Sequence, residues 1–222
     1  MKNPFLIILD DNSHVEIGDP YILRFNGKYY LYCSTCDDLE GIRCFISDDL
    51  VNFERKDDPI DLPANANNPS VVVLPTGKIL LYFRDGELKV TVAKADSLES
   101  GFRLLAYDIF DGKRAEDMFV FVHNSKFYMV AEDNVAEFTG HERFGFMATS
   151  NDGMNWEPAK EVIAYDHTIK FEDGSELKAQ RRERPQFVFE NGKPVCLFTA
   201  VYDGENTFNV AQAIELKEKT DA

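Results

Sequence analysis

The sequence is short of positive charge, cysteine, histidine and unbroken apolar stretches, and each shortage closes off a class of function. Twenty-four Lys and Arg face 39 Asp and Glu, giving a formal net charge of −15. A field of that sign repels phosphate backbones and anionic lipid, so neither nucleic acid nor a membrane surface is expected as a partner. Near the N-terminus only five consecutive apolar residues, Phe5 to Leu9, precede Asp10 and Asp11. That run is too short for a signal-peptide core or a bilayer span, and a cytoplasmic location is expected. Of the four cysteines only Cys33 and Cys36 have a suggestive spacing. No second Cys or His pair completes a tetrahedral zinc set and no thioredoxin-like pattern surrounds them, so reduced structural thiols are expected. Long amphipathic helical patterns are missing as well, which argues for an all-β chain.

What the chain does have is buriable aromatic surface, 18 Phe and 9 Tyr in 222 residues, and a repeat. Four stretches share one pattern, beginning near residues 19, 68, 117 and 184 and aligned on Pro20, Pro69, Met118 and Pro185. In each, an apolar run meets Asn26-Gly27, Thr76-Gly77, Asn124-Ser125 or Asn191-Gly192, then Lys, then a second β-prone run. Residues that tolerate positive φ between two such runs are a hairpin signal. In the first three units a third strand and a polar turn follow (Ser47-Asp48-Asp49, Ala95-Asp96-Ser97, Ser150-Asn151-Asp152) and then a fourth strand. Four antiparallel strands per unit of about 40–50 residues is the arithmetic of a propeller blade. The reading is therefore one β-propeller domain over 1–222 with four blade repeats, and aromatics, Trp156 included, packed within and between blades. The last step contains an insertion at roughly Ala164 to Gln180. The fourth unit has three strands, and the N-terminal segment 4–10 is expected to supply its outer strand and close the ring.

In a propeller the first strand of every blade lines the axis, so residues at the four strand starts converge there. They are Gly18, Asp19 and Tyr21; Asn67, Asn68 and Ser70; Glu116, Asp117 and Phe119; and Glu183, Arg184 and Gln186. Two carboxylates facing one pocket from different blades suit glycoside hydrolysis, one activating water and the other protonating the leaving oxygen. Asp19 and Glu116 are the expected pair. Arg184 and Arg182 are expected near the substrate, where a guanidinium could bind a carboxylate or phosphate bidentately.

The segment Gly18-Asp19-Pro20-Tyr-Ile, with Gly27-Lys-Tyr-Tyr-Leu-Tyr and Ile46-Ser47-Asp-Asp-Leu-Val-Asn-Phe, resembles the opening blade of family 43 glycoside hydrolases. Through the repeat the resemblance covers most of the chain. Asn67-Asn68-Pro69, Glu116-Asp117 and Arg181-Arg182-Glu183-Arg184-Pro185 are most similar to poorly characterised members. The resemblance implies a five-bladed propeller and an inverting glycosidase with Asp19 as base and Glu116 as acid. The second blade departs from it, with Ser70 where the family places an Asp and Asn68 before the proline, which leaves Asp117 to perturb Glu116 by like-charge repulsion. Asn68, Ser70, Glu183, Arg184 and Arg182 are then expected to bind the substrate, a short glycan. No cofactor and no essential metal are expected, because His14, His123, His141 and His167 all miss the strand-start positions. A structural calcium ion on the axis stays open. The alternatives are a phosphate-dependent glycoside phosphorylase and a non-catalytic propeller that binds a glycan or a protein; the oligomeric state is not legible.

Overall fold

A computed structural model of the protein describes residues 6–8, 14–35, 41–56, 62–63 and 65–214. All regular structure in them is β, and no helix is long and apolar enough to cross a membrane. The first sheet runs in sequence order through β1 (Leu6–Ile8), β2 (His14–Phe25), β3 (Lys28–Thr35), β4 (Ile42–Ser47) and β5 (Glu54–Arg55). The second contains β6 (Asn67–Val73), β7 (Ile79–Arg84), β8 (Val90–Ala95) and β9 (Arg103–Ala106). The third contains β10 (Ala115–His123), β11 (Lys126–Asp133), β12 (Phe144–Ser150) and β13 (Trp156–Tyr165). A small separate hairpin follows, β14 (Thr168–Lys170) with β15 (Glu176–Lys178), at the place of the insertion in the repeat. The fourth sheet has three strands, β16 (Arg181–Glu190), β17 (Lys193–Tyr202) and β18 (Thr207–Ala213). Four antiparallel meanders with their first strands innermost make a four-bladed propeller arrangement.

Local chemistry explains the blades. In three of them the first two strands are joined by a two-residue turn with both residues at positive φ: Asn26 and Gly27, Asn124 and Ser125, Asn191 and Gly192. Such turns match the right-handed twist of the strands they join. The spaces between blades are filled by the alternating apolar faces of the strands. Tyr21, Tyr32, Ile42 and Ile46 of the first blade pack on Val71, Leu81, Phe83 and Phe102 of the second. Val72, Leu80, Tyr82 and Val92 of the second pack on Val120, Phe127, Met129 and Phe146 of the third. Val130 and Tyr165 of the third meet Leu197 and Phe187 of the fourth. Trp156 is part of this packing, edge-on to Tyr82 at 5.9 Å with its Nε1 donating to the Gly153 carbonyl. Cys33 and Cys44 are buried in the first blade, and Cys36 lies outside the described residues.

One expectation is corrected. Leu6–Ile8 pairs antiparallel with His14–Glu16 and extends the first sheet, with no pairing to the fourth. β1 lies only a few residues before β2 in the chain, and a local antiparallel partner needs far less chain closure than one a whole ring away. The rest of the segment 4–10 lies outside the described residues.

Candidate active site

Each inner strand carries the same defect. The register slips between Gly18 and Tyr21, Asn67 and Ser70, Glu116 and Phe119, and Glu183 and Gln186. At the centre of each bulge one non-glycine residue has positive φ: Asp19 (46°), Asn68 (51°), Asp117 (54°) and Arg184 (55°). A bulge bends its strand and re-aims a side chain. Here four of them turn one polar side chain per blade toward the axis, and the side chains form a chain of contacts. Asn68 Nδ2 donates to Asp117 Oδ1. The Arg184 backbone N–H donates to Asp117 Oδ2 at 3.2 Å. Arg184 Nε and Nη2 both donate to Asp19 Oδ1, at 3.1 and 3.0 Å, while its Nη1 holds Glu183 Oε1 at 2.5 Å. A cavity of about 280 Å³ opens over this group, lined by Asp19, Asn68, Asp117, Arg184, Phe198 and Asn209 among others.

Beneath the bulges lies a second set of charges on the adjoining strands. Glu132 is fully buried; its Oε1 accepts from Arg143 Nη1 at 2.8 Å, and its Oε2 has no partner among the described residues. Asp117, Glu132 and Glu183 place carboxylate oxygens within 4.8 Å of one another. Burial pushes Asp117 up to about 7, with the charges of Asp19, Glu116 and Glu183 adding to it against the pull of Arg184. Burial likewise pushes Glu132 up to about 8, aided by Asp117 and opposed by Arg143. Carboxylates so close share protons and titrate as a group. Burial works to lower Arg184, and Asp117, Asp19 and Glu183 overcome it, so the guanidinium is held more firmly charged than usual.

The residues singled out in the sequence divide into three groups. Asp19, Asn68, Asp117 and Arg184 line the cavity, and Glu183 joins them through Arg184. Glu116 adjoins Asp117 in the chain; its Oε2 lies 3.3 Å from Arg84 Nε, which also donates to Asn68 Oδ1 at 2.6 Å, and its Oε1 accepts from Asn134 Nδ2 at 2.6 Å. Ser70 and Arg182 do not reach the cavity. Ser70 is fully buried and its hydroxyl accepts from the Val120 N–H, tying the second blade to the third. Arg182 is buried over the Tyr165 ring and donates to Thr199 Oγ1, the Asp166 carbonyl and Gln212 Oε1. Sequence reasoning missed Arg84, Glu132 and Arg143. Arg84 and Glu132 pair in register with Asn67 and Glu116 just before the bulges.

None of the three histidines whose side chains are described lines the cavity. His123 bonds the Gly192 carbonyl, His141 stacks on Phe144 and His167 bonds the Arg143 carbonyl, all away from the cavity. The carboxylate trio is the one cluster of metal-ligand spacing among the described residues, and Arg143 and Arg184 already offset its charge at 2.8 and 2.5 Å.

The axis of this propeller gathers Asp19, Asn68, Asp117 and Arg184, one from each blade. The family model of glycosyl hydrolases family 43 matches residues 13–218. The chain belongs to that family. Among solved structures it is similar to an endo-1,4-β-xylanase from Bacteroides thetaiotaomicron, with a TM-score of 0.64 and 20% identity over 92% of this chain and 71% of that one. An exo-β-1,3-galactanase from Clostridium thermocellum gives 0.62 and 18%, covering 90% of this chain and 45% of that chain. A β-xylosidase/α-arabinofuranosidase from a compost microbial metagenome gives 0.61 and 16%, covering 90% and 75%. No curated protein sequence matches the chain.

Proposed function

We propose that the protein hydrolyses a glycosidic bond in a short glycan by direct displacement with water, with Asp19 as base and Glu183 as acid. The observation that carries this is the carboxylate trio of Asp117, Glu132 and Glu183, of which Asp117 lines one cavity together with Asp19. A general acid must hold a proton near neutral pH, and a trio with members raised to about 7 and about 8 holds at least one. Within it Glu132 is sealed from solvent, and Asp117 accepts from two N–H donors. Glu183 is partly exposed and so is the member able to reach a leaving oxygen. Glu116 has its oxygens engaged by Arg84 and Asn134, as Glu183 has by Arg184 and Arg143; what favours Glu183 is its place in the trio. On Asp19 both Arg184 donors fall on Oδ1, leaving Oδ2 to orient a water.

The Arg184 guanidinium stands between the Asp19 and Glu183 carboxylates, bonded to both. Holding them apart suits displacement by water, which needs about 6.5–9.5 Å between the carboxyls, against about 5–5.5 Å for a covalent intermediate. The same bonds occupy the arginine, which supports hydrolysis over phosphorolysis. That the similar structures are a xylanase, a galactanase and a β-xylosidase/α-arabinofuranosidase supports a glycan of xylose, galactose or arabinose units as the substrate class.

The test is sugar release from a panel of oligosaccharides and aryl glycosides, with and without phosphate, by the native chain and by Asp19→Asn. Release that is independent of phosphate and falls by about 10²–10⁴ in Asp19→Asn is expected. Release unchanged in Asp19→Asn contradicts the assignment.

A further inference from the structure

Carboxylates as crowded as Asp117, Glu132 and Glu183 need cations beside them, and the two they have come from different places. Arg184 is the chain neighbour of Glu183 and bonds its Oε1. Arg143 comes from the segment 134–143, which joins β11 to β12 in the third blade. Its Nη1 donates to Glu132 Oε1 at 2.8 Å and lies 3.9 Å from Glu183 Oε2. One guanidinium thus reaches the buried acid of the third blade and the partly exposed acid of the fourth.

The segment that carries it is held from both ends. Asp133, the last residue of β11, is fully buried. Its Oδ1 accepts from the Glu137 N–H at 2.8 Å, and its Oδ2 accepts from the Phe138 and Thr139 N–H groups at 3.0 and 2.6 Å and from the Thr139 hydroxyl at 2.7 Å. Hydrogen bonds to an ionised acceptor are the strong ones, and these wrap the loop around one carboxylate. Phe138 lies flat on Phe146 with the rings 3.9 Å apart, and His141 stacks on Phe144. At the far end the Arg143 N–H donates to the Asp133 carbonyl at 2.7 Å, and the Arg143 carbonyl accepts from His167 Nε2 at 3.0 Å. Arg143 itself has φ of 61°, where glycine rests without strain and an arginine does not. Glycine would serve the turn; what it would not supply is the guanidinium.

We propose that Arg143 is a positioning residue for the reaction: fixed by this loop, its guanidinium holds the Glu183 carboxyl beside Glu132, in the place from which Glu183 serves the leaving oxygen. The inference rests on the reading of Glu183 as the acid. Arg143 acts through Glu183, and without it Glu183 is tied through Oε1 to Arg184 alone. The competing account makes Arg143 only the counter-ion that lets Glu132 be buried, and the two accounts part when Glu132 is made neutral. A counter-ion is then needless, whereas a residue that positions Glu183 is still needed.

The experiment compares the native chain with Arg143→Gln, Glu132→Gln, the double variant and Arg143→Lys. On oligosaccharides Arg143→Gln is expected to lose about tenfold or more in kcat with KM little changed, and to lose little on aryl glycosides with strongly acidic leaving groups, because the loss runs through the acid. The double variant is expected to fall as far below Glu132→Gln as Arg143→Gln falls below native, and Arg143→Lys, which keeps the charge, to recover part of the rate. A readout that needs no substrate is the NMR signal of the Glu183 carboxyl carbon, isotope-labelled and assigned by its loss in Glu183→Gln. It is expected to be displaced in Arg143→Gln and in the double variant. Three results overturn the inference: a double variant with the rate and Tm of Glu132→Gln, which makes Arg143 a counter-ion only; an equal loss on both substrates; or a Glu183 signal that stays in place when Arg143 is replaced. A native chain that releases no sugar from any substrate contradicts the hydrolase reading instead, and the Glu183 signal then decides by itself whether Arg143 holds that carboxyl.

Discussion

Glu132 shows what a single residue contributes here. Its pKa and that of Asp117 are raised in the folded chain, so each binds its proton more tightly folded than unfolded. Stability is then complete below the unfolded carboxylate range, near 4, and is lost as pH rises through about 7 to 8. Thermal unfolding across pH 5 to 9 should show Tm falling over that window, and Glu132→Gln, neutral throughout, should flatten the fall. The expected difference is on the order of a few kcal/mol at pH 8. An equal pH dependence in the variant would place the cause elsewhere. Asp19, Asn68, Asp117 and Arg184 were legible in the sequence because repetition makes their positions comparable. Glu132 was not, because the sequence shows only an acid at the end of an apolar run, and its value comes from a register that sets it beside Glu116.

At the scale of elements, the strands, the turns and the location of the insertion were legible, since alternation and Asn-Gly chemistry act over a few residues. The bulges were not, because a one-residue slip leaves no mark on composition; yet they decide that Asp117 faces the cavity while Glu116 faces Arg84. Contacts between elements yield two predictions. Tyr82→Phe removes the bond to the Gly153 carbonyl and should destabilise by about 1 kcal/mol, read by denaturant unfolding. Gly145→Ala should cost more, about 1–3 kcal/mol, because a Cβ there would lie 2.2 Å from the Tyr165 ring. Tyr165 is walled in by the same core that buries Leu197, so the ring has little room to yield.

For the whole molecule the repeat predicted the number of blades visible in the chain, but not which strand pairs where the ring opens. The N-terminal strand lies on the first blade, and an apolar cavity is lined by the inner strands of all four blades. That outcome is a matter of chain closure and packing, which a periodic pattern does not encode. Pro20 and Gln186 line both this apolar cavity and the polar one, so the two adjoin along the axis.

The central claim, that Glu183 and not Glu116 gives the proton while Asp19 activates water, is tested most directly by leaving-group dependence. Glu183→Gln and Glu116→Gln are compared with the native chain on oligosaccharides and on aryl glycosides with strongly acidic leaving groups. A missing general acid matters where the leaving group needs protonation and little where it does not. Glu183→Gln is expected to lose about 10²–10⁴ in rate on oligosaccharides and to keep most of its rate on the activated aryl glycosides, while Glu116→Gln loses little on either substrate. The reverse pattern, with Glu116→Gln showing the leaving-group split and Glu183→Gln active on oligosaccharides, would contradict it.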